Sequence, residues 1–365
     1  MKKILVCLPS LTNGDGIAKF YMNYYKNIKE NGYIVDFLCV SHDEYSSEIL
    51  KKIENSKIFI VPNNNFFTKW VILNHFLKKE FNNNSYDIIH DNLTDANALI
   101  INNFFKKRGS KIILHVHNPI NKDKKMINRI FLKVAIRKSD YFCACSESAG
   151  KSVFKCKKFK IVKNKVDVVK FKFDKNNREK IRKELNVSEN CILIGTVGRM
   201  CNQKNPMLVY KIIRELCNEI NCKSIWIGNG ELENSIKDYV RQSNIEDKCI
   251  FIGSTAHIEK YYSAMDVFLL PSIYEGFGIV FIEAQASGLE VFTSNIVPED
   301  ICITDLIYKL DLKKDINDWV NEIKKGLKKN HIRENYYSLV YQTDFNIEKD
   351  DDMTKIYNKI LVGEK

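Results

Sequence analysis

The chain has 365 residues, 45% of them apolar, with 57 Lys+Arg against 45 Asp+Glu. That length suits two domains of ordinary size or one large one. The apolar fraction excludes a disordered chain, and no run reaches the ~18 uninterrupted apolar residues of a transmembrane helix. In chain order, the first apolar run, Lys3–Leu8, predicts a buried strand. Its basic start resembles a signal peptide only superficially, because the run is short and Asn13, Asp15 and Lys19 stand where a cleavage site would be. Further strands are expected at Ile34–Val40, Ile58–Val61, Ile88–His90, Lys111–His117, Tyr141–Cys145 and Lys160–Val162, with helical patterns between most of them. A boundary is expected near Asp167–Asp174, followed by a helix around Arg178–Leu185. The second half repeats the scheme. Strands are predicted at Cys191–Val197, Ser224–Ile227, Lys248–Ile252, Val267–Leu270 and Val291–Thr293. Helices are predicted at Met207–Cys217, Leu232–Gln242, Ile258–Ala264 and Val280–Ser287. Alternating βα units predict parallel sheets with helices on both faces. The expected fold class is therefore α/β, two Rossmann-like parallel-sheet domains facing a cleft, with ligands beyond the C-terminal ends of the strands.

The net charge of +12 is uneven. Residues 101–172 carry 20 basic and 4 acidic residues, residues 1–100 carry 11 of each, and residues 173–365 carry 26 basic and 30 acidic. The basic segment mixes its charge with large apolar residues, in Phe104-Phe105-Lys106-Lys107-Arg108 and in Lys122–Lys138. Read as a helix, the latter sets Met126, Ile130, Phe131, Val134 and Ile136 largely apart from Lys125, Arg129, Lys133 and Arg137. Phe66–Phe81 has a similar character. A basic amphipathic helix can lie on an anionic membrane, each basic residue adding about 1 kcal/mol. Peripheral contact with an anionic membrane through residues 101–172 is expected on this ground, an ordinary surface helix being the plainer alternative. No RNA- or DNA-binding motif accompanies the basic patch, so no nucleic-acid partner is expected.

There are eleven cysteines, and Cys7, Cys39, Cys143, Cys191 and Cys249 sit in strand-like runs. No C-x-x-C pair or zinc-finger spacing occurs. Buried free thiols predict a reducing compartment, the cytosol. Cys143 and Cys145 read as buried strand positions rather than metal ligands, and Asp350-Asp351-Asp352 as a solvated face rather than a metal site.

The most informative stretch is Asp266–Gly288. A buried strand ends at Pro271, a loop with Glu275-Gly276-Phe277-Gly278 follows, and a helix begins near Ile279. Loop amides at a helix N-terminus favour an anion, and glycine lets backbone approach a ligand closely. Glu275 in the loop and Glu283 in the helix would reach different parts of one extended ligand. Upstream, Gly198-Arg199 and Gln203-Lys204-Asn205 follow another strand and bring two cations beyond its end.

Two glutamates at this spacing around Gly-Phe-Gly, with the Gly-Arg and Gln-Lys-Asn elements, resemble glycosyltransferase family 4, the retaining sugar transferases of GT-B fold, and in particular the bacterial capsule and exopolysaccharide members. The resemblance runs nearly end to end. It implies an enzyme that moves a hexose or N-acetylhexosamine from a nucleotide sugar, a UDP-sugar on family frequency, to a lipid-linked (polyprenyl) or saccharide acceptor. Residues 1–168 with a tail helix at 345–365 would bind the acceptor, and residues 169–344 the nucleotide sugar. Arg199 and Lys204 would hold the diphosphate with the amides of Gly276, Phe277, Gly278 and Ile279. Glu275 would hold donor-sugar hydroxyls, Glu283 the ribose, and His117 would point at the donor sugar. Gly228 and Gly230 would lie near the nucleotide base. Gly14, Asp15 and Gly16 occupy the place of a phosphate-proximal Gly-Gly loop, which Asp15 interrupts, and Lys165 replaces an expected glycine. The resemblance further implies no cofactor and no metal. Such an enzyme would work in the cytoplasm, peripheral at the inner face of the membrane. A nucleotide-sugar epimerase on the same fold, a glycosyl phosphorylase and a non-catalytic membrane-binding scaffold are the alternative readings.

Overall fold

Thirteen described strands form two parallel sheets. The structure, a computed structural model, describes residues 1–12, 16–40, 47–53, 55–62, 69–119, 126–329, 331–349 and 352–363, without the side chains at 47, 48, 52, 69 and 126–128. Gly14 and Asp15, and of the acidic tail run Asp350 and Asp351, lie outside the described residues. The chain divides into two compact units, Met1–Asn164 with Asp350–Lys365, and Lys165–Lys349.

In the first unit the elements run β1 (Lys3–Leu8), α1 (Gly16–Glu30), β2 (Ile34–Cys39), α2 (Ser47–Lys52), β3 (Ile58–Ile60), α3 (Lys69–Phe81), β4 (Ile88–Asp91), α4 (Ala96–Lys106), β5 (Lys111–Val116), α5 (Met126–Lys138), β6 (Tyr141–Ala144), α6 (Glu147–Phe154) and β7 (Lys160–Ile161). The sheet order is β3-β2-β1-β4-β5-β6-β7. A parallel sheet is covered on both faces, so its strands read as continuous apolar runs. In β1, Ile4, Val6 and Leu8 face Phe20, Tyr21, Tyr24 and Ile28 of α1. Leu5 and Cys7 face the other way, toward Leu73, Leu77 and Phe81 of α3 and Ile101 and Phe105 of α4.

The second unit runs α7 (Lys175–Glu184), β8 (Ile192–Val197), α8 (Pro206–Glu219), β9 (Cys222–Ile227), α9 (Glu233–Gln242), β10 (Cys249–Ile252), α10 (Ile258–Ala264), β11 (Val267–Leu270), α11 (Ile279–Ala286), β12 (Glu290–Ser294), β13 (Ile307–Leu310), α12 (Ile316–Gly326) and α13 (Tyr336–Tyr341). The sheet order is β10-β9-β8-β11-β12-β13. Trp226 from β9 and Trp319 from α12 are buried in one core with Val209, Ile212, Ile213 and Leu216 of α8. A buried ion cluster ties α7 to the strands. Asp266, just before β11, accepts from Arg178 Nη2 at 2.7 Å, from Arg182 Nη1 at 3.0 Å and from the Leu193 amide at 2.7 Å.

A last helix, α14 (Asp352–Val362), lies in the first unit, where Met353, Tyr357 and Ile360 join the α1 side of the core. The division falls after Asn164 rather than 168, and the chain rejoins the first unit at 350 rather than 345. The reason is a backbone pairing: the Val166 amide donates to Phe345 O at 2.7 Å and the Ile347 amide to Val166 O at 2.9 Å. Lys165, in place of glycine, is buried and donates to Asp344 O at 2.7 Å.

The basic amphipathic helix is α5, but its faces differ from the expected division. Leu132 and Ala135 are buried, whereas Ile130 is 54% exposed on the side of Lys133 and Arg137. Ile130, Lys133 and Arg137 are spaced three and four apart, which puts them on one face. Phe131 meets Trp70 of α3 edge-on at 5.0 Å between centroids, and Trp70 and Val71 are themselves exposed. No described helix is long and apolar enough to cross a membrane.

Candidate functional site

In open α/β sheets, ligands bind beyond the strand C-termini where the strand order reverses. In the second sheet that switch lies between β8 and β11, which are neighbours. The loop after β8 carries Arg199 and Lys204, and the loop after β11 carries Glu275. Lys204 Nζ reaches Glu275 Oε1 at 2.6 Å. Ser272 Oγ donates to the same oxygen at 2.6 Å. The loops are also laced through Gln203, whose Nε2 donates to Tyr274 O at 3.0 Å and whose carbonyl accepts the Ile273 amide at 2.8 Å. Glu275 is buried and Lys204 half-buried, so this is a charge-assisted contact in a shielded place. Arg199 lies exposed on the same loop as Lys204.

Gly278, at φ +85°, leads into α11, a conformation that favours glycine. Gly276 and Phe277 beside it are buried, and Phe277 packs on Phe345 at 5.3 Å. Ile279 opens the helix, also buried. Glu283 is wholly buried one turn on, and Tyr262 Oη donates to its Oε2 at 2.9 Å. Burial and the Glu283 carboxylate push the Tyr262 phenol pKa upward. Any ligand contact of Glu283 therefore runs beside an oxygen already held by Tyr262.

Gly228 and Gly230 have a packing explanation that needs no ligand. A Cβ at Gly228 would stand 2.5 Å from Gly198 O, and one at Gly230 would stand 2.2 Å from Met200 O. Both glycines let the loop after β9 lie against the loop after β8. A cavity of about 300 Å³ lined by Glu290, Asp305, Tyr308, Lys329, His331 and Tyr336 lies at the other end of the sheet, where β12 and β13 begin, and contains none of these residues.

In the first sheet the switch lies between β1 and β4. Gly16 opens α1 after β1. Beside the switch, β4 and β5 bring three imidazoles together. His115 and His117 stack at 4.2 Å, and His90 Nε2 lies 3.0 Å from His115 Nδ1. His90 Nδ1 lies 2.7 Å from Tyr357 Oη, which bonds in turn to Tyr21 Oη. His117 Nε2 lies 2.8 Å from Asn92 Oδ1. Burial lowers the pKa of His90 and of His117 to about 3, and that of His115 well below its ordinary value. Burial raises Asp91, next to Asn92, to about 8.

These shifts set a pH dependence of stability. The unfolded histidines bind protons below pH ~6.5 and the folded ones do not until much lower pH, so their contribution is present above ~6.5 and lost as pH falls. Asp91 works the other way, because its folded form keeps a proton between pH ~3.8 and ~8. The three imidazoles outweigh the one carboxyl, so stability should fall as the pH drops from ~6.5 toward ~4. Urea midpoints of the first unit measured from pH 7 to pH 5 check this, and a flat profile would show that the imidazoles are charged in the fold.

The sequence motifs gave no role to Gln203, Ser272 or Tyr357, and did not single out Tyr262, Asn92 or His90. The run His90-Asp91-Asn92, three polar residues at the end of an apolar strand, was the available signal for the first-unit cluster.

Comparison with known proteins follows the same division. Residues 177–341 match the family "Glycosyl transferases group 1" and residues 14–170 match "Glycosyltransferase Family 4". EpsF of Bacillus subtilis, described as a glycosyltransferase, is 24% identical over 366 residues, covering 95% of this chain and 94% of that protein. A UDP-Gal:alpha-D-GlcNAc-diphosphoundecaprenol alpha-1,3-galactosyltransferase of Escherichia coli is 32% identical over 143 residues, 38% of this chain and 37% of the other. HepE of Anabaena, solved in complex with UDP and glucose, has the same fold, with a TM-score of 0.79 at 15% identity over 100% of this chain and 99% of that one.

Proposed function

This chain belongs to glycosyltransferase family 4, as a glycosyltransferase of the bacterial polysaccharide type on the GT-B fold, and from that premise we propose a retaining transfer of a hexose or N-acetylhexosamine from a UDP-sugar to a lipid-linked or saccharide acceptor. The observation that carries the reading is the meeting of Lys204 and Glu275 at the switch point, 2.6 Å apart. The bond from the anomeric carbon to the diphosphate breaks while a bond to the acceptor oxygen forms on the same face, and the acceptor's hydroxyl proton passes to a departing phosphate oxygen. Negative charge builds on the departing phosphate oxygens. Lys204, Arg199 and the amides of residues 276–279 stabilise that charge most in the transition state, which is where stabilisation accelerates the step. Glu275 holds donor-sugar hydroxyls and Glu283 the ribose. A diphosphate arriving at Lys204 competes with Glu275 for the ammonium, freeing the carboxylate for the sugar. Two carboxylates here are therefore ligand-holding groups, and no hydrolase acid/base pair is invoked. With cations and amides supplied by the chain, the reaction needs no metal. UDP as the nucleotide is supported by relatives and neighbours that act on or bind it.

The first unit takes the acceptor in this reading, and its α3–α5 face rests on the anionic inner surface of the cytoplasmic membrane. Exposed Trp70, Val71 and Ile130 stand among Arg129, Lys133 and Arg137 there. That mixture suits an interface where apolar side chains enter the headgroups and cations meet lipid phosphates.

Thermal melting with nucleotides and nucleotide sugars in excess EDTA tests the donor site. At ~100 times its dissociation constant a ligand stabilises by about 2.7 kcal/mol. A shift with UDP and one UDP-sugar is expected. A shift only after adding magnesium or manganese would overturn the metal-free site, and none under either condition would overturn the donor reading.

A further inference from the structure

The eleven thiols of this chain are all free, and two of them meet in the second unit. Helix α8 covers one face of the second sheet, and only Ile220 and Asn221 separate its end from β9. So short a connection folds the last turn of the helix back over the first residue of the strand. Cys217 stands in that turn and Cys222 opens the strand, with their Sγ atoms 3.4 Å apart. Cys222 is 1% exposed and shares the core with Ile213 and Leu216 of α8. Cys217 is half-buried, so a small solute reaches it and not its partner. The two sulfurs also differ in chemistry. The thiolate is the nucleophilic form of a cysteine, and a nearby hydrogen-bond donor or cation favours it. The Cys222 thiol, donating to Cys217 Sγ, lowers the pKa of Cys217, and Lys248 adds to this against burial and Asp247. The same bond, with burial, raises Cys222. As a thiol, Cys217 has only a long contact to Cys222 O, at 3.8 Å. The neighbouring thiols stay protonated, because burial raises Cys191 and raises Cys249 to about 11.

We propose that Cys217 and Cys222 form a reversible oxidation site, in which Cys217 takes an oxygen atom from hydrogen peroxide and Cys222 then closes a disulfide. The Cys217 thiolate attacks one peroxide oxygen, and the O–O bond breaks. That oxygen stays on sulfur as a sulfenic acid. The departing hydroxide takes up the proton that Cys217 had shed and becomes water. Cys222 Sγ then attacks the sulfenic sulfur, the S–O bond breaks, and the oxygen leaves with the Cys222 proton as a second water. Two thiols and one peroxide thus give one disulfide and two waters, the sulfurs losing the two electrons that the peroxide gains. For this the sulfurs close from 3.4 Å to the ~2.05 Å of a disulfide. Capture by Cys222 keeps Cys217 from the sulfinic stage, which thiols do not reverse. A transient disulfide of this kind fits a reducing compartment, where thiol reductants reopen it. The pair lies at the start of β9, whereas the loop with Gly228 follows its end. Six residues, ~20 Å of strand, therefore separate the oxidation site from that loop.

Titration of the reduced full chain with hydrogen peroxide tests this, with exposed Cys156 as the internal standard. At each dose the remaining thiols are blocked with N-ethylmaleimide. The oxidised ones are then reduced, labelled with its heavy form and read by peptide mass spectrometry. Cys217 and Cys222 should take the heavy label together, at least ~10-fold faster than Cys156. The disulfide should lie within one chain, and dithiothreitol should return both thiols. Two variants divide the roles. In Cys222→Ala, or Cys222→Ser should alanine not fold, dimedone should trap Cys217 as its sulfenic acid. In Cys217→Ser, Cys222 should stay reduced at the same dose. Emission from buried Trp226 and Trp319 shows whether each variant is folded. Oxidation of Cys156 ahead of the pair in the wild type overturns the proposal. So does a disulfide from Cys217 to Cys249, or a Cys222 in folded Cys217→Ser that oxidises as readily as in the wild type.

Discussion

Glu275→Ala, and separately Lys204→Ala, should each lower sugar transfer by at least ~10², the range seen when a transition-state contact is removed. The two side chains come from loops on neighbouring strands and share one short contact, with Ser272 Oγ on the same carboxylate oxygen. Removing one therefore does two things. It deletes a group that meets the ligand, and it leaves its partner's charge without a counter-charge in a shielded place. The second effect could mimic the first by loosening the loops, so the variants need a control. Glu275→Gln retains an acceptor for Ser272 and the shape of the side chain, and Lys204→Met retains the stem without the charge. If the groups act on the ligand, both controls should melt near the wild type and still lose most of their turnover. Initial rates with the responsive UDP-sugar, beside melting curves, separate the cases. Wild-type-like turnover in both alanine variants would reject the assignment.

The largest stability loss is expected at Asp266, well away from the ligand loops. Asp266→Ala should destabilise the second unit by roughly 3–5 kcal/mol, the usual cost of stranding a buried charge. Arg182 is only 1% exposed; its Nη1 also donates to Ala264 O and its Nη2 to Ser188 O and Cys191 O, while its Nε makes no hydrogen bond among the described residues and lies 3.8 Å from Glu189 Oε1. Those carbonyls do not neutralise its charge, and Glu189, at 3.8 Å with a 68% exposed side chain, is a weaker counter-ion than Asp266 at 3.0 Å. Asp266 also accepts the Leu193 amide, so the same substitution unpairs the second residue of β8. Trp226 and Trp319 are both buried in this unit and give a fluorescence signal for urea unfolding. A loss under ~1 kcal/mol would mean that Arg182 finds water or another anion, and the cluster would then be a surface pair of little consequence.

The sequence made the two sheets and the second-unit loops legible for a common reason. Parallel strands buried on both faces are continuous apolar runs, and the ligand loops directly follow them. The strand β13 escaped because it forms the sheet's edge. In Ile307-Tyr308-Lys309-Leu310 only Leu310 is buried, so no apolar run marks it. The polar partners escaped for a different reason. Tyr262 meets Glu283, and Tyr357 meets His90 from 267 positions away, through contacts that only the fold creates. Gly228 and Gly230 show the converse. A glycine pattern beyond a strand reads as room for a ligand, whereas here the close approach is of one loop to another. Ile130 was assigned to the wrong side of α5 because helical spacing divides a helix into faces without saying which face meets the sheet.

The position of α14 bears on how the protein is made. Residues 165–349 leave the ribosome as one continuous stretch that contains all of the second unit. The first unit, although begun earlier, lacks Met353, Tyr357 and Ile360 until residues beyond 349 have been made. At ~5–20 residues per second, the interval between Asn164 and Ile360 is roughly 10–40 s. Throughout that time the aromatic face of α1 has no cover from its last helix, and the unit that starts first should finish second. Stalled nascent chains that end after residue 349, with a linker clearing the exit tunnel, should be cut by protease in the first unit, and chains that also expose residues 350–363 should resist. Equal resistance at the two lengths would mean that the first unit closes alone. Otherwise it emerges as a client for holding chaperones, for as long as translation takes to deliver α14.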